Sequence, residues 1–100
     1  MTLEFHPEAR EEFHDAAHWC EERSLLAGDR FVQAMRSAVD AIMADPKRYQ
    51  QLEGGIHVFR LKKFPFRIYY SHETATDVLV IHAVMHEKRR PDYWRSRIGR

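Results

Sequence analysis

The stretch GGIHVFRLKKFPFRIYYSHETATDVLVIHAV, residues 54–84, decides the fold. After the Gly54-Gly55 turn, β-branched and aromatic residues gather in three runs, Ile56–Leu61, Phe66–Ser71 and Val78–Val84. That composition belongs to strands. The links between the runs are short, which predicts an antiparallel meander. Alternation then assigns the faces of the sheet. Phe59, Leu61, Phe66, Ile68, Tyr70, Leu79, Ile81 and Ala83 go to one side. Val58, Arg60, Lys62, Arg67, Tyr69, Val80, His82, Val84 and, by the same parity, His86 go to the other. A slip of one residue inverts any strand.

Upstream of this stretch the apolar period is helical. Ala9, Phe13, Ala16, Ala17 and Cys20 mark a stripe that predicts an amphipathic helix from about Pro7 to Arg23. Pro7 suits its first turn, and Glu8, Glu11 and Glu12 suit its positive end. A second helix is expected from about Gly28 to Ala44, on Phe31, Met35, Ala38, Val39 and Ile42. Val32 and Met43 widen that stripe enough for burial on two sides. Asp45-Pro46 ends it, because the residue before proline resists the helical conformation. The link at residues 24–27 is short, so the helices should form an antiparallel hairpin. A short strand at Leu3–Phe5 precedes them, and the basic, aromatic RRPDYWRSRIGR at 89–100 reads as a turn or short helix. The expected architecture is α+β: a strand, a helical hairpin, then a three-stranded meander packed against the hairpin.

One hundred residues fit a single domain, 1–100, with one core. No apolar run approaches the roughly 20 residues that cross a bilayer, and the acidic start MTLEFHPEAREEF is unlike a secretory leader. The lone Cys20 can form no internal disulfide, which suits a reducing cytoplasm. The expectation is a cytoplasmic protein with no membrane contact and no cofactor. Charge is distributed unevenly. Residues 1–46 carry four Lys/Arg against ten Asp/Glu, and residues 47–100 carry twelve against five. The cations should therefore gather on one surface.

Two constellations could carry chemistry. His14-Asp15-Ala16-Ala17-His18 spaces two imidazoles like the zinc motif H-E-x-x-H. Asp replaces the Glu base, no third ligand is evident, and the pair sits on the polar side of its helix, so no metal is expected there. The second is the basic and aromatic set at the back of the chain. Cutting RNA without a metal needs a base for the 2′-hydroxyl, cations around the phosphorane and an acid for the leaving oxygen. Arg60 and Arg67 offer charge, and His86 or Tyr93 offers proton transfer. Lys62, Lys63, Arg89, Arg90 and Arg97 surround them as contacts to nucleic acid or another target. Few carboxylates occur in this half, which argues against metal-assisted nuclease chemistry. The plainer alternative makes Arg60 and Arg67 solvated strand residues, with Tyr93 and Trp94 closing the core.

FRLKKFPFRIYY at 59–70 and VLVIHAVMHEKRRPDYWRSR at 78–97 follow a helical pair ending in DRFVQAMRSAVDAIMADPKRY at 29–49. Together these segments resemble the RelE/ParE superfamily of bacterial type II toxin–antitoxin toxins. The resemblance implies the same element order, growth inhibition, and a cognate antitoxin that wraps and neutralises the toxin. RelE-like members cleave mRNA in the ribosomal A site, whereas ParE-like members poison DNA gyrase without known hydrolysis. By resemblance, Arg67 matches the central-strand arginine of the RelE-type site, and Arg60 falls where that site has a lysine. Tyr93 is similar to a base-stacking tyrosine. His86 and Arg89 lie in a loop that carries a functional arginine or histidine. Val58 stands where a second important lysine is expected, and it can neither attract a phosphate nor move a proton. Arg60, Arg67, His86 and Tyr93 on one surface slightly favour ribosome-dependent mRNA cleavage. Gyrase inhibition, in which the same cations only make contacts, is the alternative.

Overall fold

The computed structural model describes residues 1–89 and 93–97. Four strands and two long helices follow one another as β1 (Thr2–Phe5), α1 (Pro7–Glu21), α2 (Leu25–Ala44), β2 (His57–Arg60), β3 (Phe66–Glu73) and β4 (Val78–His86). Short 3₁₀ helices occupy Glu53–Gly55 and Tyr93–Arg97. The sheet order is β1-β4-β3-β2, with β1 parallel to β4 and the other pairs antiparallel. The expected α+β plan is present, and the N-terminal strand joins the meander as a fourth, parallel member.

Local chemistry sets the helix ends. His6 Nδ1 accepts the Glu8 N–H at 3.1 Å ahead of Pro7, and α1 starts there. Ser24 Oγ accepts the Ala27 N–H at 2.9 Å, so α2 begins at Leu25, three residues before the sequence pattern places it. The cap consumes most of the expected link. Gly28 is buried in the first turn of α2, and a Cβ there would strike the Glu21 side chain of α1. Glycine thus lets the hairpin close tightly. Tyr70, fully buried on β3, donates its hydroxyl to the Pro46 carbonyl at 2.7 Å and ties the segment after α2 to the sheet.

The main core lies between the hairpin and the sheet. Phe31, Met35 and Ile42 of α2 and Ala9, Ala16 and Cys20 of α1 meet Ile68, Tyr70, Leu79 and Ile81. A second, smaller cluster sits on the opposite sheet face, where Ile56, Val58, Tyr69, Ala83, Met85 and Trp94 pack together. Trp94 is 3% exposed and stacks on Tyr69 with ring centroids 5.6 Å apart. The outer face is therefore partly roofed by the C-terminal segment.

A β-bulge overturns part of the expected face assignment. Tyr69 pairs with Ala83 but Tyr70 pairs with Ile81, so His82 is an extra residue in β4. Parity holds for Leu79 and Ile81, which reach the main core, and inverts beyond. Ala83 turns to the outer cluster, while Val84 turns to the helices. His86 follows Val84. Its ring meets Trp19 and Phe66 edge-on, with centroids 5.9 and 5.3 Å away. The expectation that His86 shares the arginine-bearing face is corrected here, because the strict alternation behind it breaks at His82.

Candidate functional site

Arg60 and Arg67 are opposite one another in the β2–β3 register, so their side chains leave the same outer face. The next position in that row is Met85 on β4. Arg60 is exposed and Arg67 half-buried, with its Nε enclosed and lacking a hydrogen-bond partner among the described residues. Among the described residues, no ion pair involves either guanidinium. Two cations directly across a strand pair repel one another. Here they stand beside the aromatic cluster of Tyr69 and Trp94, uncompensated by any carboxylate among the described residues.

The other candidate residues fall in two different places. Lys62 and Lys63 lie past the end of β2 and line a groove against α2, on the helix side of the sheet. His86, Arg89, Tyr93 and Arg97 lie around the far end of β4. Arg89 stands 4.6 Å above the Tyr93 ring and 3.6 Å from Glu12 Oε2. His86 Nδ1 accepts the Lys88 N–H at 3.1 Å, which leaves the proton on Nε2. Arg90 lies outside the described residues. The eight described candidate positions thus do not form one surface.

Arg97 is held inside the protein, and this differs from its expected role in target binding. Its Nη1 and Nη2 donate to the two Glu12 carboxylate oxygens at 2.7 and 2.8 Å, and Nη1 also donates to the His82 carbonyl at 3.0 Å. Nε lies 2.7 Å from a Glu8 oxygen without hydrogen-bond alignment. Bonding to Glu12 holds the Arg97 proton more tightly than usual, against the opposing effect of burial. Sequence reasoning missed Glu12. The available signal was its place one helical turn after Glu8, two carboxylates in one row seeking a common cation.

Other electrostatics are local. Burial lowers the His82 pKa, and its Nε2 lies 2.8 Å from Ser71 Oγ. The Tyr70 hydroxyl is pushed up to about 12, chiefly by burial. Asp77 is held below the usual carboxylate range by its hydrogen bond from His72 and then by the N-terminal ammonium. His14 and His18 are exposed on α1, and among the described residues no group of three His, Cys, Asp or Glu side chains forms a metal site. No helix among the described residues is long and apolar enough to cross a membrane.

A helical hairpin on one sheet face and a pair of arginines on the other define the small α+β frame expected of RelE/ParE-type toxins. The sequence model for the ParE toxin of the type II toxin–antitoxin system parDE matches residues 3–91. The chain belongs to this family, the toxins of type II toxin–antitoxin systems. A solved structure described as the chromosomal ParDE TA system from P. aeruginosa is similar, with a TM-score of 0.60 and 14% identity. The match covers 86% of this chain and 95% of that one, and at such identity it speaks for the fold. No curated protein sequence matches the chain.

Proposed function

We propose that this toxin arrests growth by binding DNA gyrase, with Arg60 and Arg67 as its principal contacts, and that it performs no hydrolysis. The observation that carries this reading is the register pair itself. Two guanidiniums project from one face with no counter-charge among the described residues, so a partner that supplies carboxylates or phosphates gains both attraction and orientation.

Ribonuclease chemistry would need a proton acceptor beside those cations. His86, the best candidate in the sequence, lies across the sheet from Arg67 and packs against Trp19 and Phe66. Val58, which stands where a lysine is expected, is 7% exposed within the outer apolar cluster. The slight preference for mRNA cleavage in the sequence loses its basis once His86 leaves the arginine face. Membership in the ParE family adds to the gyrase reading. It also implies a cognate antitoxin, and a toxin that acts on gyrase would work in the cytoplasm.

The test is direct. Purified toxin should inhibit gyrase supercoiling, and its induction in cells should give DNA breaks with translated messages intact. Arg67→Ala should relieve both effects. Primer-extension cuts within codons, abolished by Arg67→Ala, would instead assign the site to ribosome-dependent cleavage of mRNA.

A further inference from the structure

β1 lies at one end of the sheet and pairs with β4 on one side only. The Thr2 N–H donates to the Asp77 carbonyl at 3.0 Å, and the His6 N–H donates to the Ile81 carbonyl at 2.9 Å. Even-numbered residues thus bond β4, and alternation turns the Leu3 and Phe5 N–H groups to the outer edge. Thr2, Leu3 and Glu4 are exposed there. On the helix side, Leu3 and Phe5 line an apolar cavity of about 330 Å³ with Val32, Val39 and Met43 of α2. Arg36 and Asp40, one helical turn apart, also line it. Among the described residues neither joins an ion pair. An open strand edge beside an apolar cavity is a template for a further strand.

We propose that this edge receives β1 of a second copy of the chain, so that two toxins share one continuous eight-stranded sheet. The inference concerns a surface away from Arg60 and Arg67 and does not depend on gyrase as the target.

Three features select a second copy. In an antiparallel register centred on Leu3, each Leu3 exchanges both backbone bonds with the second copy's Leu3, and each Phe5 N–H points at the opposing Met1 carbonyl. That register sets Leu3 beside Leu3 and Phe5 beside Met1 on the helix side. It sets Glu4 beside Thr2 on the other side, so no like charges oppose. Met1 and Leu3, 45% and 36% exposed, gain apolar cover by it. Next, Arg36 and Asp40 supply one charge of each sign. About a two-fold axis, Arg36 of each copy meets Asp40 of the other, as a self-complementary contact requires. A purely acidic or purely basic partner would set like charge against one of them. Finally, the axis stands perpendicular to the sheet, so the two apolar cavities fall on the same side and close over one another. The paired molecule also carries both arginine rows on its opposite face, with the two β3 strands about 24 Å apart.

Sedimentation equilibrium of the full-length toxin, purified away from its antitoxin, measures the association, and circular dichroism melts verify that each variant remains folded. The toxin should dimerise reversibly below about 100 μM. Leu3→Pro removes the donor at the centre of the contact, and an edge strand tolerates proline where its N–H faces solvent. It should weaken the dimer at least about tenfold. Arg36→Asp leaves acids at both rim positions, and Asp40→Arg leaves bases at both. Each variant alone should dimerise at least about tenfold more weakly, and an equimolar mixture of the two should recover dimers, less so at high salt. A toxin that stays monomeric at 100 μM overturns the inference. So does a dimer that Leu3→Pro leaves unchanged, or a mixture that recovers nothing. Weaker binding of Leu3→Pro to the antitoxin or to purified gyrase, with self-association unchanged, would assign the edge to that partner instead. Self-association is read without gyrase, so failure of the gyrase reading leaves this test standing.

Discussion

Glu12 on α1 and Arg97, 85 positions later, form a bidentate pair that completes an edge β1 leaves open. Pairing of β1 with β4 ends at Phe5 and Ile81, followed by a bond from the His6 N–H to the Ile81 carbonyl. Beyond that point, the Val84 N–H donates to Glu12 Oε1 at 3.0 Å, and the His82 carbonyl accepts from Arg97 at 3.0 Å. Two side chains thus serve polar groups that another strand would otherwise pair. The same contact holds down the C-terminal segment carrying Trp94.

Breaking the pair from one side should be costly. Glu12→Ala leaves the Arg97 cation, 5% exposed at its side chain, without its main counter-charge, and leaves the Val84 N–H without an acceptor. The expected loss is about 3–5 kcal/mol in urea unfolding. Glu12→Ala with Arg97→Met should cost less than Glu12→Ala alone, because no buried charge remains. A double variant worse than the single would show that the ion pair is not what matters.

His82 should make stability fall in weak acid. Burial lowers its pKa in the folded state below the ordinary 6.5. Above that value both states are neutral and the histidine has no effect. As pH falls below it, the unfolded chain takes up a proton that the folded chain resists, so stability declines until the folded value is reached. His82→Gln should flatten the decline in midpoint urea concentration as the pH falls below about 6.5. An unchanged slope would place the acid sensitivity elsewhere.

Trp94 separates packing from hydrogen bonding. Its indole is buried against Tyr69, while its Nε1–H finds no partner among the described residues. Trp94→Ala should cost about 3–5 kcal/mol by opening the outer cluster. Trp94→Phe keeps much of the apolar contact and removes the unsatisfied donor, so its cost should be only about 1 kcal/mol. Equal losses in the two variants would rule out this division.

The Arg60–Arg67 row should trade stability for action. Arg60→Glu replaces repulsion across the strand pair with attraction, which should raise stability by up to about 1 kcal/mol, less at high salt. The same substitution should abolish growth arrest. A stabilised variant that remains toxic would mean that Arg60 does not contact the target.

Much of the fold was legible because its signals are local. The strand runs of 56–84, the stripes of Phe31, Met35 and Ile42, and the breaker at Asp45-Pro46 each act within a few residues. The hidden features depend on contacts between distant elements. Ser24 caps α2 earlier than the apolar stripe begins, and Glu12 finds Arg97 only once the chain has folded back. The arginine pair was assigned to one face by alternation, and β2 and β3 keep that alternation without a break.

The amino-acid order alone determined the hairpin, the meander and the outward row of Arg60 and Arg67, because helical and strand periodicities are written at short range. Packing decided where His86, Lys62, Lys63 and Arg97 belong. A single extra residue at His82 inverts the end of β4, the chain leaves the sheet after Arg60, and a buried guanidinium goes where carboxylates compensate it. Those choices follow from sheet register and desolvation, which no short window of sequence specifies.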